Sequence, residues 1–360
     1  MLCLIDPSLQ DHSGRPSDNL GDVVIFRAIA RCLELLFPGE EICRISSHQP
    51  LEESHYESIK AGRILFLGGS NLLSSDVLAY NQWNFTAQRS DYESPRFKNG
   101  VLFGIGWWQY QEPPTPFTSD FYRRILTGGG LHSVRDNYTA DRLRAAGLSN
   151  VVSTGCPSMW SLDGIASDRT SAWTEECLVT ITDYYPCPRE DEQFLRLVLD
   201  HFRGTVFLFP QGTGDLKYIQ TLPVFMKESR RFQVLDHSLE KLETFLDTHR
   251  VNYVGTRLHG GIAALNNGVP TLILAVDNRA AEMSTSFGLP VVERGNKPAI
   301  KAWLRGIRKF PPIAVPKGEI LRWCGQFSSD MDLSPMFKPR RLSEPRKMPV
   351  HTKLAHWVGL

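Results

Sequence analysis

Arg257 and His259 stand two positions apart where a predicted strand gives way to a predicted helix. A helix begins with unpaired N–H groups and the positive end of its dipole, and both favour a bound anion. Gly260 and Gly261 follow, and glycines let a ligand approach the backbone closely. A lone histidine is more often a hydrogen-bonded core residue, but this setting favours function. The segment predicts a site for a phosphate or a carboxylate, with Arg257 and Gly260 as contacts.

Arg135 and Asp136 come directly after another short apolar strand, His132 to Val134. A buried ion pair between the two side chains is the structural explanation. The functional explanation is that the planar guanidinium of Arg135 holds an anionic substrate across a cleft. The sequence leaves both explanations open.

Asn19, Gly21 and Asp22 lie at the first predicted crossing from strand to helix. Helix capping accounts for an Asn and an Asp at this place. The crossing also faces the crevice of the predicted sheet, where ligands of such folds bind. We therefore keep the turn as a candidate ligand contact beside its capping role.

Two later strands end in glycine turns, Gly68 to Asn71 and Gly104 to Gly106. Neither turn matches a dinucleotide fingerprint or a P-loop, which disfavours nicotinamide cofactors and ATP. Asn71 remains a candidate contact for a substrate. Trp107 and Trp108 follow the second turn, and their flat faces could pack against sugar rings, although core packing explains such a pair more often.

The seven cysteines show no zinc-type spacing, and Cys156 has no activating partner nearby in the sequence, which favours a structural role. No dense cluster of His, Cys and carboxylate residues predicts a metal site. The N-terminus has no basic leader, and no uncharged apolar run approaches the roughly 20 residues that span a bilayer. These features predict a soluble, reduced, cytoplasmic protein that needs no metal.

The elements that must position these residues alternate between strand and helix throughout the 360-residue chain. Such alternation predicts an α/β fold of parallel sheets covered by helices on both faces. The alternation of strands and helices is interrupted at 162–176, a candidate linker, and then resumes. We expect doubly wound domains at 1–165 and 176–310 and an extension at 311–360. The net charge of +1 disfavours nucleic acid as the main partner.

The last part of the chain, 338–360, is basic and rich in proline. An extended or loosely packed segment is the first expectation. Contact with a membrane surface or an acidic glycan is the alternative, because clustered cations attract both. The sequence gives no indication of an oligomeric state.

Several short motifs together resemble the polysaccharide pyruvyl transferase family, in order and spacing from about 19 to 290. They are Asn19-Leu20-Gly21-Asp22, Gly68-Gly69-Ser70-Asn71, Ser133-Val134-Arg135-Asp136, Thr154-Gly155-Cys156-Pro157 and Arg257-Leu258-His259 before Gly268-Val269-Pro270. The resemblance implies two Rossmann-like domains that face each other across a cleft, as in glycosyltransferases of the B type. The first domain is then expected to hold the acceptor and the second the donor.

The resemblance also implies transfer of a pyruvyl group from phosphoenolpyruvate to paired hydroxyls of a glycan, which gives a ketal and phosphate. Arg257 and Arg135 can supply cations for the donor, which carries a phosphate and a carboxylate. His259 is the candidate acid or base, with Asp22 and Asp136 as helpers. Trp107, Trp108 and the basic tail lie outside the motifs of the family. No cofactor is expected besides phosphoenolpyruvate as a substrate.

Two other functions remain open at this stage. A glycosyltransferase with the same fold would use a nucleotide sugar as its donor. A glycan-binding or assembly protein would hold an oligosaccharide without turning it over.

Overall fold

The computed structural model describes residues 1–80, 83, 92–166, 173–328 and 331–338. We call residues 1–166 the first half, 173–310 the second half and 311–338 the C-terminal segment. The strands of the first half are β1 (Leu2–Asp6), β2 (Ile42–Ser46), β3 (Leu65–Gly68), β4 (Gly100–Phe103), β5 (His132–Val134) and β6 (Val151–Ser153). Its helices are α1 (Leu20–Leu36), α2 (Glu53–Ala61), α3 (Pro116–Ile125) and α4 (Asn137–Ala145), followed by a 3₁₀ helix at Pro157–Leu162.

The second half repeats the alternation. Its strands are β7 (Cys177–Thr180), β8 (Val206–Leu208), β9 (Phe232–Val234), β10 (Asn252–Gly255), β11 (Thr271–Ala275) and β12 (Val291–Glu293). Its helices are α5 (Pro188–His201), α6 (Thr213–Ile219), α7 (Pro223–Lys227), α8 (Leu239–Thr248), α9 (Leu258–Asn266), α10 (Asn278–Phe287) and α11 (Lys297–Leu304), with a 3₁₀ turn at Ser229–Arg231. The C-terminal segment contains α12 (Lys317–Gly325) and a 3₁₀ helix at Ser334–Phe337.

Both halves are built on parallel sheets. The first sheet has the order β2-β1-β3-β4, and β5 and β6 continue it through a bridge between Ile105 and Val134. The second sheet has the order β12-β11-β10-β7-β8-β9. The strand order reverses between β1 and β3 in the first sheet and between β7 and β10 in the second. Ligands of doubly wound folds bind beyond the carboxyl ends of strands at such reversals, and the predicted α/β class is confirmed.

Helices α1 and α9 join the two halves through one hydrophobic core. Apolar side chains recur on α1 at Ile25, Ile29 and Leu33, which gives it one buried face. Helix α9 is buried along almost its whole length, because its other side meets α1. A short helix that is apolar all round and free of charged residues beyond its first turn suits this central place.

One predicted helix, from about 216 to 227, is divided in two by the structure. Helix α6 ends at Ile219, and α7 begins with Pro223 at its first position. A proline has no backbone N–H and its ring clashes with the preceding turn, so it begins a helix far more readily than it continues one.

The C-terminal segment returns to the first half. The ring of Trp323 on α12 is completely buried, with its centroid 4.4 Å from that of Phe103 and 6.4 Å from that of Trp160. The described part of the predicted extension is therefore packed against the first half. The basic tail predicted from 338 onward lies outside the described residues after Lys338. Among the described helices, none combines the length and the apolar character that a bilayer span requires.

Candidate active site between the two halves

The first turns of α1 and α9 meet at the boundary between the halves. A Cβ atom at Gly21 would lie 2.6 Å from Nε2 of Gln211 and 3.4 Å from Nδ1 of His259, so glycine allows the close approach of these two side chains. The backbone N–H of Leu20 donates to the carbonyl oxygen of Gln211 at 3.0 Å. Two helix N-termini with their positive dipole ends thus converge on His259.

Arg257 precedes α9 and is held by two carboxylates. Its Nε donates to Oδ2 of Asp215 at 3.0 Å, and its Nη2 donates to Oδ1 of Asp183 at 3.0 Å and to Oδ1 of Asp215. Asp215 is fully buried and also accepts the N–H groups of Gln211 and Gly212. The positive charge of Arg257 is therefore matched inside the protein before any ligand binds.

Arg135 lies in the opposite half, and its positive charge is compensated much less completely. Its side chain is 1% exposed, Nη2 donates to Oδ1 of Asn71, and Nε is 3.7 Å from Oδ2 of Asp136. Within the described residues, that Nε has no hydrogen-bond partner. Gly106 leaves room for the guanidinium, because a Cβ atom there would collide with Nη2. Burial lowers the pKa of Arg135, and an anion would stabilise this poorly compensated cation.

His259 is 5% exposed, and its Nε2 lies 3.7 Å from Sγ of Cys156. Burial lowers the pKa of His259 to about 3, reinforced by the positive charges of Arg279 and Arg135. The imidazole is therefore neutral at pH 7. Burial also raises the pKa of Cys156, which keeps it a thiol. A proton on Nε2, donated toward Sγ of Cys156, leaves the lone pair of the imidazole on Nδ1, the nitrogen nearest to α1.

Asp22 stands in the first turn of α1 and is half-buried. Nδ2 of Asn19 donates to its Oδ2 at 2.9 Å. Burial raises the pKa of Asp22 to about 6, although Arg279 and the hydrogen bond from Asn19 act in the opposite direction. A carboxyl group that titrates this close to neutrality is suited to acid–base chemistry.

The structure adds two residues on α10 that the sequence reasoning missed. Asp277 caps this helix, and Nε of Arg279 donates to Oδ2 of Asp277 at 2.9 Å. Burial would raise the pKa of Asp277, but Arg279 outweighs it and the pKa is lowered. The charge of Arg279 acts on both Asp22 and His259. Their position at the carboxyl end of β11, where helix α10 begins, is the signal that could have identified them.

The remaining predicted contacts have structural partners in the protein. Asn19 caps α1 by accepting the N–H of Gly21 at 3.1 Å, and Asp136 caps α4 by accepting the N–H of Thr139 at 2.7 Å. Gly260 makes room for the protein, since a Cβ atom there would lie 2.9 Å from the hydroxyl of Tyr253. Whether these residues also contact a substrate stays a prediction.

Trp107 does not support the predicted contact with sugar. Its ring has no exposed surface, packs edge-on against Tyr122 and donates from Nε1 to Gln111 at 3.1 Å. A ring enclosed in this way offers no face to a ligand. Its neighbour Trp108 is half-buried, so contact with a sugar ring stays a prediction for Trp108 alone of this pair.

In the part of the chain that the structure describes, no group of three or more His, Cys, Asp or Glu side chains could hold a metal ion. The positively charged groups around His259 are arginines, and they suit an anionic ligand rather than a cation.

Comparison with known proteins identifies the relatives of this chain. The sequence model of the family described as polysaccharide pyruvyl transferase matches residues 19–278, well over half of the chain. No curated protein sequence matches the chain.

Among solved structures, the chain is similar to UDP-GlcNAc 2-epimerase of Methanocaldococcus jannaschii in complex with UDP-GlcNAc and UDP. The TM-score is 0.50 at 10% identity, covering 90% of this chain and 99% of that one. It also matches the wall teichoic acid polymerase TagF, with a TM-score of 0.40 at 8% identity, over 92% and 83% of the two chains. The likeness to the epimerase concerns the fold alone, and it confirms the expected glycosyltransferase-B-like architecture.

Proposed function

The chain belongs to the polysaccharide pyruvyl transferase family, and we propose that it moves the pyruvyl group of phosphoenolpyruvate onto two hydroxyls of a glycan. The products are a cyclic ketal and phosphate. The observation that carries this proposal is the cluster between the halves, where an incompletely paired Arg135 is grouped with a neutral His259 and a titratable Asp22.

The donor would occupy the cationic part of the cluster. Phosphoenolpyruvate carries a phosphate and a carboxylate, and arginine forks and helix N-termini bind both groups. Arg135 has an Nε still available for such a contact. Arg257 already gives Nε and Nη2 to carboxylates that compensate its charge, which leaves Nη1 for a contact with the donor.

The first chemical step is addition of one hydroxyl to the central carbon of the donor. A proton passes from the carboxyl group of Asp22 to the methylene carbon, which becomes a methyl group. The hydroxyl oxygen bonds to the central carbon, and the neutral imidazole of His259 takes its proton. The raised pKa of Asp22 suits a general acid, and the lowered pKa of His259 leaves its imidazole unprotonated before the step, as a proton acceptor must be.

The second step replaces the phosphate. The other hydroxyl forms a bond to the same carbon while the carbon–oxygen bond to the phosphate breaks. The proton of this hydroxyl returns to the carboxylate of Asp22, and the proton on His259 leaves with the phosphate. Both groups are thereby restored for the next turnover, and positive charge on the central carbon is stabilised by the departing phosphate.

The test is direct. The protein is incubated with phosphoenolpyruvate and galactose-, mannose- and N-acetylmannosamine-containing oligosaccharides, with phosphate release and the ketal methyl resonance as readouts. We expect both signals from the wild type and neither from His259→Ala. If no oligosaccharide gives either signal, the proposal is rejected.

A nucleotide-sugar donor is distinguished by thermal shift in the same samples. Phosphoenolpyruvate that raises the midpoint of unfolding supports the proposal, because a ligand that binds the folded state stabilises it. A shift with UDP or CDP and none with phosphoenolpyruvate would favour a glycosyltransferase instead. Binding of an oligosaccharide without any turnover would favour a glycan-binding protein.

A further inference from the structure

Three exposed or partly exposed aromatic side chains lie on the segments that follow β3 and β4 of the first half, and we call them the aromatic platform: Tyr80, Trp108 and Tyr110. Tyr80 is 40% exposed and Tyr110 is 58% exposed, while Trp108 is half-buried. Folded proteins usually bury such large apolar rings, at least in part. A group of them at the surface is a candidate for ligand contact.

The rings of the platform are held in place. The backbone N–H of Trp108 donates to the carbonyl oxygen of Leu73 at 2.7 Å, and the ring centroids of Trp108 and Tyr80 are 4.9 Å apart. Tyr110 stands edge-on to Tyr138, with centroids 5.2 Å apart. Rings fixed before binding lose little conformational entropy when a ligand arrives.

The loop that carries Trp108 and Tyr110 contacts α10, the helix that begins beside the candidate active site. The carbonyl oxygen of Trp107 accepts from Nδ2 of Asn278 at 3.1 Å, which places Trp108 beside the start of α10 and therefore near Arg279. The hydroxyl of Tyr110 donates to Oε1 of Glu282 on the same helix at 2.7 Å. The loop follows the carboxyl end of β4, on the side of the sheet where ligands bind.

We propose that the aromatic platform binds the saccharide acceptor, as a subsite for an oligosaccharide of at least two pyranose rings. The inference rests on the proposed function. A pyranose has an apolar face of C–H groups and a rim of hydroxyls, which matches an aromatic face with polar groups at its edge. Trp108 and Tyr110 are two residues apart, so their Cα atoms lie within about 7 Å of each other, and the proposal places one sugar on each ring. The carboxylate of Glu282 can accept a sugar hydroxyl beside them.

The experiment measures glycan affinity without a donor. Tetrasaccharides of galactose, mannose and N-acetylmannosamine are titrated into wild type, Trp108→Ala, Tyr110→Ala and Tyr110→Phe by calorimetry. We expect each alanine variant to raise the Kd of the bound tetrasaccharide about tenfold, the effect of losing one stacked ring. Tyr110→Phe keeps the ring and should change the Kd less than about threefold. Affinity for the corresponding monosaccharide should not change.

The control is Ile307→Ala, an exposed apolar residue in the second half. It should bind the tetrasaccharide as the wild type does, and the thermal shift with phosphoenolpyruvate should be the same in all variants. If both alanine variants keep wild-type affinity while the wild type still releases phosphate, the platform is rejected and the proposed function stands. If the wild type neither binds nor modifies any of these glycans, both are rejected.

Discussion

The buried arginines of the two halves differ in how completely their positive charge is compensated. In the second half, Arg257 is surrounded by Asp215 and Asp183 at hydrogen-bond distance, and its charge is matched twice. In the first half, Arg135 has one carboxylate at 3.7 Å and an Nε that is left without a partner among the described residues. Both arginines follow strands that end at the boundary between the halves, so position alone does not distinguish them.

The difference separates scaffold from reactive surface. Removing water from a cation costs several kcal/mol unless partners replace it, so the compensated cluster of the second half can stay rigid without a ligand. The first half keeps polar groups that lack part of their hydrogen bonds or counter-charge. Among the described residues, Nε of Arg135 lacks a hydrogen-bond partner, and Asp22 holds a proton up to about pH 6. An anionic donor would supply the missing counter-charge to Arg135.

The largest effect is expected from Arg257→Ala. It leaves the buried carboxylate of Asp215 without its cation, and breaking such a pair costs about 3–5 kcal/mol. The free energy of unfolding, measured with urea, should fall by that amount at pH 7. Arg144→Ala, whose partner Asp141 is exposed, is the control and should change it by less than about 1 kcal/mol. An equally small loss for both variants would remove the contrast between the halves.

Asp22→Asn tests the reactive group of the first half. The proposed acid must be protonated, so kcat/KM of the wild type should fall as pH rises above about 6. The variant should be about 100-fold slower, the usual size of one general acid, and should lose this pH dependence. Asp141→Asn should behave as the wild type. If kcat/KM of the variant still falls as pH rises, another group provides the proton.

Arg135→Met separates binding from stability. Methionine fills similar space without the buried charge, and Asp136 keeps its hydrogen bond from the N–H of Thr139, so the free energy of unfolding should fall by less than in Arg257→Ala. The Kd for phosphoenolpyruvate should rise about tenfold, because a charge-assisted contact is lost. Arg144→Met serves as the surface control in the same calorimetric titration. Unchanged donor affinity in Arg135→Met would place the donor elsewhere.

The smallest effect is expected at Cys156, which lies in the first half but contacts His259 of the second. Cys156→Ala removes the group beside Nε2 and should lower kcat about fivefold with KM unchanged, since the imidazole is less well oriented. Cys156→Ser retains a hydrogen-bonding group beside Nε2 and should recover most of the rate. Equal rates for the alanine and serine variants would exclude a role in orienting His259.

Much of this fold follows from local pattern. Apolar residues at helical spacing predict α1, and short apolar runs before glycines predict β3 and β10, because both signals depend on neighbours in sequence. The motif Arg257-Leu258-His259 was identified by its place at a strand end. The break at Pro223 was missed because the apolar spacing continues across it.

Partners that come from distant segments were not predictable. Nothing near Arg257 in sequence indicates that Asp215 and Asp183 neutralise it. Nothing near Trp107 indicates that its ring is enclosed while Trp108 is partly exposed. Residues of α10 joined the site only because the second sheet places the end of β11 beside the first half.

The sequence by itself determined the fold class, the strand ends that carry the candidate residues and the family. These depend on residue types and on spacing within short windows. Only the tertiary structure decided which arginine is compensated and which carboxyl group titrates near pH 6. Charge compensation and desolvation depend on atoms within a few ångströms in space, and the halves bring those atoms together from segments far apart in the chain.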